Sequence, residues 1–426
     1  MPGAPAMRSQ TQNGDSVDCP LNGENSAKAS RQYLPKRLHV ASCPPSLDQF
    51  KEIVSQSTEP ALYRQAASVM SNVPIYNIQS LPSPTVKPEI IDQIQDEWHH
   101  ILLSGPGVFV LKGMYPPSPS TQALFHKVNT IFDEIIGSES SGSTTKGDHF
   151  AAGGRNARVW NSFQKHAVAG PSSFVQYYSN PWLALVAETW LGQSYQITAQ
   201  VNLVKPGGKP QVSHRDYHLG FQTADQCSSF PKVTQVASQL LTLQGAVAHS
   251  DMPLRSGPTR FLPFSQMFED GYMAYRLPEF QEFFERNWVS VPLELGDAVF
   301  FNPALFHAAG ENTSATIQRS ANLLQISSAF GKTMESIDTV TVIESCWLDV
   351  RKLYQDKDVL PLEVEAILKA ISHGYPFPTN LDRRPPEPGG MAPESELDVL
   401  RKAVQEDWGT EKVILAIIKI RNDSLP

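Results

Sequence analysis

The feature that most limits the fold of this chain is a series of strand patterns between residues 195 and 330. In these segments polar and apolar residues alternate, or β-branched and other apolar residues run together, and glycine turns separate them. One predicted helix, at 279–286, interrupts the series. Many short strands with turns between them predict a β-barrel or a β-sandwich. The predicted strands cover residues 196–204, 236–248, 289–295, 298–301 and 321–326.

Helical patterns surround this core of residues 195–330, so the whole chain is predicted to be of the α+β class. Residues 46–194 are predicted to form an N-terminal helical region with a site-lining loop. Residues 331–426 are predicted to form a C-terminal helical extension, with a proline-rich arm at 375–393. Residues 1–45 are rich in Pro, Ser, Asn and Gly and are predicted to be a disordered leader.

The composition excludes several classes of function. The 426 residues are 41% hydrophobic and carry a net charge of −8, which argues against global disorder and against a nucleic-acid-binding surface. The longest apolar runs, such as Val413–Ile420, are too short to cross a bilayer, so no membrane partner is expected. The four cysteines form no Cys-x-x-Cys pair, which favours reduced thiols and a cytoplasmic location. The oligomeric state does not follow from the sequence.

The first candidate for chemistry is a His-x-Asp motif, His214 and Asp216. Side chains two residues apart in a strand point to the same side, so both can bind one metal ion. The chain contains a second such motif, His249 and Asp251, and chance alone accounts for at least one of the two. We favour the first motif because it follows a clean strand and a Lys-Pro-Gly-Gly turn. The second lies where a strand gives way to a loop.

A distal metal ligand is predicted at His307, between a hydrophobic strand and a glycine turn. With His214 and Asp216 it completes a face of two histidines and one carboxylate, which leaves three metal positions open and suits non-heme Fe(II). Arg319 lies twelve residues further on, at the start of the next strand. A buried arginine needs a carboxylate partner, and a dicarboxylic co-substrate would supply one through a bidentate pair.

A loop before the strand region is predicted to line the site. Residues 137–147 are almost all Gly, Ser, Thr and Glu, which is typical of a mobile loop. Residues 147–161 then mix polar, aromatic and glycine residues, a pattern that suits a site better than a core. Core packing stays open as an alternative for the aromatic residues. The candidate substrate contacts here are His149, Phe150, Arg158, Trp160 and Asn161.

The order of these motifs resembles the phytanoyl-CoA dioxygenase-like branch of the Fe(II)- and 2-oxoglutarate-dependent oxygenases. The resemblance spans about residues 100–330 and rests on the His-x-Asp motif, the Gly257–Ser265 loop, the Gly296-Asp297 turn, the distal histidine and the arginine. The chain departs from the family where it has Pro263-Phe264-Ser265-Gln266 in place of the usual Pro-Gly-Ser-His. This departure leaves the metal ligands intact.

The resemblance implies a double-stranded β-helix, or jelly roll, with helices before and after it. The implied reaction uses Fe(II), 2-oxoglutarate and O2, and it gives succinate with a hydroxylated product, an alkene or a ring. Halogenating relatives replace the carboxylate ligand with a small residue, so Asp216 argues against halogenation. The implied catalytic and metal-binding residues are His214, Asp216 and His307, and the implied 2-oxoglutarate-binding residues are Arg319, Thr259 and Gln211.

The resemblance leaves the substrate open, because the family acts on acyl-CoA thioesters, amino acids, alkaloids and terpenoids. The sequence shows no basic patch of the kind that binds CoA, and Arg158 and Arg260 can anchor a small carboxylate. We therefore expect a small metabolite of secondary metabolism, such as an amino acid or another small carboxylate. Three alternatives remain: an acyl-CoA hydroxylase of phytanoyl-CoA type, a cupin-like metalloenzyme without 2-oxoglutarate, and a catalytically silent scaffold.

Overall fold

A computed structural model of the protein describes residues 34, 36–39, 43–82, 87–142 and 156–426. The region with strand patterns contains six strands, and four more lie before it. The strands are β1 (Ser68–Met70), β2 (Val73–Asn77), β3 (Val108–Lys112), β4 (Asn156–Val159), β5 (Tyr195–Val204), β6 (Thr242–Ala248), β7 (Arg260–Phe261), β8 (Ala298–Phe301), β9 (His307–Ala308) and β10 (Arg319–Ser328).

Eight strands form one large sheet in the order β1-β2-β3-β8-β6-β10-β5-β4. All neighbours are antiparallel except β2 and β3, which are parallel. Strand β10 pairs with β5 along its whole length, from Arg319 opposite Val204 to Ser328 opposite Tyr195. Because this pairing is regular, alternate residues of each strand face opposite sides of the sheet.

A small second sheet packs against one face of the large one. Strand β7 pairs with β9, and isolated bridges join His214 to His307 and Phe261 to Val289. The rings of Phe261 and Phe301, one from each sheet, lie 5.0 Å apart between their centroids. From β5 to β10 the chain passes back and forth between the two sheets. This is the pairing of a double-stranded β-helix, so the predicted fold class is confirmed.

Helices cover the other face of the large sheet. Most of their apolar sides join the sheet in one core that contains Trp98, Trp347 and Ile197. The helices at 47–54, 224–228, 271–274 and 278–287 instead contribute to a separate apolar cluster with Phe306 on the side of the small sheet. No helix in the described ranges is long and apolar enough to cross a membrane. The helices are α1 (Leu47–Val54), α2 (Pro88–Leu103), α3 (Pro119–Gly142), α4 (Ser162–Ala169), α5 (Pro171–Tyr178), α6 (Pro181–Leu191), α7 (Ala224–Ser228), α8 (Lys232–Leu240), α9 (Gly271–Ala274), α10 (Pro278–Asn287), α11 (Thr339–Gln355), α12 (Pro361–Ile371), α13 (Glu396–Gln405) and α14 (Thr410–Asp423).

The two faces of the large sheet differ in polarity, and strand β5 shows the difference. Ile197, Ala199 and Val201 point into the apolar core under the helices. Gln200 and Asn202, at the alternate positions, are buried on the opposite face, toward the small sheet. The space between the two sheets is therefore polar in part, although it is enclosed by protein.

Three local predictions are wrong. Residues 236–240 belong to helix α8 and not to a strand. This helix buries its polar Gln235 and Ser238 and leaves the apolar Val233 largely exposed, so its apolar residues do not mark its buried face. Residues 289–295 form only isolated bridges, since Pro292 has no N–H to donate to a strand ladder. Residues 137–142 continue helix α3 rather than starting a loop, and the rest of that predicted loop lies outside the described residues.

The N-terminal region is not only helical, because it also supplies strands β1 to β4 to the large sheet. Strand β3 pairs with β8, and strand β4 pairs with β5 at the other edge. The apolar run at 108–111 predicts a short buried strand, which β3 confirms, whereas β1, β2 and β4, with five residues or fewer, show no clear strand pattern. They extend the sheet of the β-helix on both sides, so the region before residue 195 and the core are one folded unit.

A glycine-to-alanine pair tests the packing of the large sheet. A Cβ at Gly245 on β6 would lie 2.7 Å from the Phe300 ring and 3.0 Å from the Val299 carbonyl oxygen. Gly245→Ala should therefore lower the free energy of unfolding by about 1–3 kcal/mol. Gly137→Ala is the control, because Gly137 lies in α3 with nothing within 4 Å, and it should raise stability by about 0.5–1 kcal/mol. Urea unfolding of both variants measures the change in the free energy of unfolding. The same change in both variants would contradict the close packing around Gly245.

Candidate metal centre and active-site cavity

The candidate metal ligands lie on adjacent segments of the small sheet. The N–H of His214 donates to the carbonyl oxygen of His307 at 3.0 Å, and the N–H of His307 donates back at 3.1 Å. Two residues further on, the N–H of Asp216 donates to the carbonyl oxygen of Pro303 at 2.9 Å. These backbone bonds place ligands from distant parts of the sequence side by side.

The three side chains converge on one point. Their ligand atoms all lie within 4.8 Å of one another, and the Nε2 atoms of His214 and His307 are 3.9 and 3.6 Å from carboxylate oxygens of Asp216. Nδ1 of His214 bonds to the Val212 carbonyl oxygen at 2.9 Å, and Nδ1 of His307 to that of Leu305 at 2.8 Å. Because each Nδ1–H donates to a carbonyl, each Nε2 keeps its lone pair for a metal ion.

The electrostatics favour the protonation states that a metal ion binds. Burial lowers the pKa of His214, and the neighbouring imidazole of His307 lowers it further. Burial alone would raise the pKa of the Asp216 carboxyl. The two imidazoles and a 2.6 Å hydrogen bond from the Gln244 amide outweigh burial and hold this pKa below its usual range. The centre thus offers an ionised carboxylate beside a neutral His214.

This set of donors fits a non-heme Fe(II) ion. Two imidazole nitrogens and one carboxylate occupy one face of the metal and leave three positions for other ligands. Among the residues that the structure describes, no other group of three His, Cys, Asp or Glu side chains converges in this way.

The second His-x-Asp motif is not part of this group. His249 is buried, with Nε2 2.9 Å from the Tyr177 hydroxyl and Nδ1 2.9 Å from Asn129 Oδ1. Burial lowers the pKa of His249 to about 3, so the ring is neutral. Asp251 accepts the N–H of Leu295 through its carboxylate. Both residues have structural partners in the protein.

Arg215, between the first two ligands in sequence, points to the opposite side of their segment. It is buried, and its guanidinium donates to the carbonyl oxygens of Ser265 and Phe268 at 2.6 and 2.9 Å. It also lies 5.3 Å from the ring centres of both Tyr272 and Phe306. These contacts anchor the ligand segment to the rest of the small sheet and its flanking loop.

The metal centre opens into a cavity of about 400 Å³ between the two sheets. This volume lies within the range of pockets that hold small molecules. Part of its wall is apolar, with Phe261, Phe301 and Leu323 among the lining residues. Apart from the metal ligands, the charged side chains among its described lining residues are Arg158 and Arg319. Both are cations, so the cavity is suited to anionic ligands.

The three residues predicted to bind 2-oxoglutarate all line this cavity. Arg319 is buried at the start of β10, where Nη1 donates to the Gly257 carbonyl oxygen and Nη2 lies 3.4 Å from Asn202 Oδ1. Thr259 lies on the segment that follows Gly257, and Gln211 lies just before the first metal ligand. The structure thus brings them into the same space as the metal ligands.

Two of the predicted substrate residues line the cavity as well. Arg158 on β4 donates from Nη1 to Gln200 Oε1 at 2.7 Å, and its guanidinium carbon lies 5.5 Å from the centre of the Trp160 ring. His149 and Phe150 lie outside the described residues. The edge of the sheet beside β4 therefore supplies a cation and an aromatic ring to the wall.

The other two predicted contacts are placed differently. Arg260 pairs with the Glu285 carboxylate at 2.6 Å and is not among the residues that line the cavity. The reason is strand parity, because its neighbour Phe261 faces the cavity and Arg260 faces away. It therefore does not act together with Arg158. Asn161 lies two residues after β4, as the N-cap of α4, in a left-handed conformation with φ 50°, and it too is not among the lining residues.

Sequence reasoning missed a set of buried amides on the cavity wall. Gln200, Gln244 and Gln325 are 0%, 5% and 6% exposed and come from three neighbouring strands. The signal was present in the alternation of residues 196–204, where the polar positions are the inward ones. The alternation alone predicts the strand, and it does not by itself indicate that the polar side lines a cavity.

Glu335 is a second residue that sequence reasoning missed. It lies in the loop after β10, beside the lining residue Met334, and its carboxylate accepts the N–H of Asn161 at 2.5 Å. Burial raises the pKa of Glu335 to about 7, although Lys165 and Arg158 oppose this shift. The carboxyl group thus titrates near neutral pH at a contact between β4 and the loop.

Comparison with known proteins assigns the chain to a family. The sequence profile of the family described as phytanoyl-CoA dioxygenase (PhyH) matches residues 83–321, which is more than half of the chain. The chain belongs to the phytanoyl-CoA dioxygenase family. The predicted family is therefore confirmed, and the matched region contains all three candidate metal ligands and Arg319.

A curated relative of this phytanoyl-CoA dioxygenase family member is the protein named Dioxygenase andF, from Emericella variicolor. It is 24% identical over 148 residues, which are 33% of this chain and 45% of the relative. The chain thus spans less than half the length of that relative.

Solved structures with a similar fold come from nogalamycin biosynthesis. The non-heme alpha-ketoglutarate-dependent carbocyclase SnoK is 17% identical with a TM-score of 0.41, covering 56% of this chain and 86% of its own. The epimerase SnoN is 18% identical with a TM-score of 0.37, covering 55% of this chain and 83% of its own. At these values the comparison carries no argument about the fold or the substrate of this chain.

Removal of one carboxylate tests the metal centre. Asp216→Ala should lower the iron content of the reconstituted protein from about one ion per chain to near zero, because two imidazoles alone hold Fe(II) weakly. Asp251→Ala is the matched control from the second His-x-Asp motif and should keep its iron. Iron analysis after desalting measures both variants. Loss of iron in the control, with iron retained in Asp216→Ala, would move the centre to the other motif.

The raised pKa of Glu335 predicts a dependence of stability on pH. Because the folded-state pKa is above that of an unfolded glutamate, the stability that this group contributes is complete at low pH and is lost as pH rises through about 7. Glu335→Gln removes this titration. The melting temperature of the variant minus that of the parent should therefore be roughly 2 °C larger at pH 8 than at pH 5. Melting curves of both proteins at pH 5 and pH 8 measure this difference. The same difference in melting temperature at both pH values would contradict the prediction.

Proposed function

We propose that this protein is a non-heme Fe(II)- and 2-oxoglutarate-dependent oxygenase that oxidises a C–H bond of a small carboxylate metabolite. Family membership supports the class of enzyme. The observation that carries the proposal is the convergence of His214, Asp216 and His307 within 4.8 Å in a cavity that also contains Arg319. A silent scaffold has no need of three converging side chains that can bind a metal ion.

The residues of the chain have distinct tasks in this proposal. His214, Asp216 and His307 hold the ion, which supplies the activation of O2 when it is bound. Arg319 pairs with the distal carboxylate of 2-oxoglutarate, in a bidentate contact that its planar guanidinium favours. Thr259 and Gln211, which line the same cavity, add hydrogen bonds to the co-substrate. The two sheets enclose the reacting groups and keep bulk water away.

The second cation in the cavity supports an anionic substrate. If Arg319 binds 2-oxoglutarate, Arg158 is the second cation among the described lining residues, and a carboxylate of the substrate would pair with it. The cavity volume of about 400 Å³ suits a small metabolite. Hydroxylation, desaturation and ring closure all begin with removal of hydrogen from such a substrate. The carboxylate of Asp216 occupies the position that a halogenating enzyme needs for halide, so halogenation is not proposed.

The setting of the enzyme is part of the proposal. A cytoplasmic location is supported by the free thiols of Cys43, Cys227 and Cys346, of which the last two are buried. A role in secondary metabolism and the lack of nucleic-acid partners stay predictions from the sequence.

The alternative of an acyl-CoA substrate is tested by including phytanoyl-CoA among the compounds assayed for succinate release. Turnover of that thioester and of none of the small acids would contradict the proposed substrate class.

Substitution of Arg319 tests the use of 2-oxoglutarate. Arg319→Met should raise KM for 2-oxoglutarate by about 10- to 100-fold, because a charged hydrogen-bonded pair contributes about 1.5–3 kcal/mol. Arg384→Met is the matched control, since that arginine is also buried but donates to Ser424 and to the Glu394 carbonyl oxygen in the C-terminal extension, and its KM should stay unchanged. Oxygen uptake and succinate release measure both. Activity that does not depend on 2-oxoglutarate would favour the cupin-like alternative.

A further inference from the structure

The inner face of the large sheet carries a row of buried polar side chains beside the metal centre. Gln244 on β6, Gln325 on β10, Gln200 on β5 and Arg158 on β4 all line the cavity, and these four strands are consecutive neighbours. The three glutamines are at most 6% exposed. Burying amide groups costs free energy unless they are hydrogen-bonded, so a row of them at a substrate cavity calls for a binding role.

The hydrogen bonds of this row all point in one direction. Arg158 donates to Gln200 Oε1 at 2.7 Å, and Gln200 Nε2 donates to Gln325 Oε1 at 3.3 Å. At the other end Gln244 Nε2 donates to Asp216 Oδ2 at 2.6 Å. Donation therefore runs from the guanidinium, through the amides, to the carboxylate that binds the metal.

One link of the row is open. Gln325 and Gln244 are direct partners in the pairing of β10 with β6, so their Cβ atoms are about 5 Å apart. Oε1 of Gln244 is buried without a hydrogen-bond partner, and Nε2 of Gln325 donates to no other described residue. A group that accepts from Gln325 and donates to Gln244 would complete the row. A hydroxyl group does both.

The open link between Gln325 and Gln244 lies away from the contacts of Arg319. Arg319 and Gln325 lie on the same face of β10, six residues apart, which corresponds to about 20 Å along the strand. Arg319 bonds to Gly257 and Asn202 at its own end of the cavity, and Arg158 lies opposite Asn202 at that end. The amides of Gln325 and Gln244 therefore belong to a different part of the cavity, next to Asp216.

We propose that this row is the substrate subsite and that it selects a hydroxy acid. The carboxylate of the acid pairs with Arg158, and its hydroxyl lies between Gln325 and Gln244, beside the metal ligand Asp216. The row crosses three strand spacings and is offset by four residues along the strands, which places its end backbones about 19 Å apart, so several carbon atoms separate the two groups. This inference rests on the proposed function, because it assigns the substrate class of the same cavity.

Binding to the metal-free protein tests the subsite without turnover. The probes are hexanoate and octanoate and their monohydroxy derivatives, titrated by calorimetry. At least one hydroxy acid should bind about tenfold more tightly than its parent acid, which is the effect of one well-placed hydrogen bond. Gln325→Met should remove this advantage and leave the affinity for the parent acid unchanged. Arg158→Met should weaken both acids about tenfold or more.

Two further variants make the result decisive. Gln235→Met, which removes an equally buried amide outside the cavity, should leave every affinity unchanged. Gln325→Glu keeps the acceptor for Gln200 and removes the donor, so it gives the same comparison if Gln325→Met does not fold. Equal binding of hydroxy and parent acids to the parent protein would overturn the proposal. A hydroxyl preference that remains in both Gln325→Met and Gln325→Glu would also overturn the proposal. In that case Gln325 does not bind the hydroxyl group, and only water completes the row.

The failure of this subsite and the failure of the proposed function are distinguishable. Succinate release that depends on 2-oxoglutarate and Arg319, without any hydroxyl preference, would overturn the subsite alone. A hydroxyl preference in calorimetry, without iron binding or use of 2-oxoglutarate, would overturn the proposed reaction alone.

Discussion

The backbone pairing of His214 with His307 is the constraint on which the active site depends. These residues are far apart in sequence, yet each donates its N–H to the carbonyl oxygen of the other. The pair sets both imidazoles at one level of the small sheet, and Asp216 follows two residues later on the same side. A slip of one residue would turn a ligand away from the metal, because side chains alternate along a strand. The ring of Phe301 in the large sheet packs 4.8 Å from His307 and supports this register.

The large sheet separates two environments that the site requires. On its outer face, residues such as Val201 and Leu324 join the apolar core under the helices and stabilise the fold. On its inner face, Gln200, Gln244 and Gln325 line the cavity, and Gln244 donates to the Asp216 carboxylate. Hydrogen bonds and charges act strongly in such an enclosed space, because little water screens them. The same strands thus supply stability on one side and chemistry on the other.

Much of the fold, and the convergence of the candidate metal ligands, could be predicted because they follow from local patterns. The His-x-Asp spacing, the distal His307 and Arg319 occur in a fixed order along alternating strands, and order and parity are visible without a structure. Cavity contacts beyond the metal centre could not be predicted as well. Arg260 was expected beside Arg158, but strand parity turns it outward to Glu285. The sequence predicts a strand at 236–240, where the structure has a helix, because the apolar residues of this helix do not mark its buried face.

The amino-acid sequence by itself specifies the family, the strand-rich core and the three candidate metal ligands, because these depend on residue type, spacing and order. Folding specifies what depends on distances between separate strands. It pairs the His214 and His307 segments, sends His249 to a structural contact with Tyr177, and aligns amides from three strands with Arg158. The physical reason is that the register between strands distant in sequence is set by their mutual hydrogen bonds and packing, which no single segment contains.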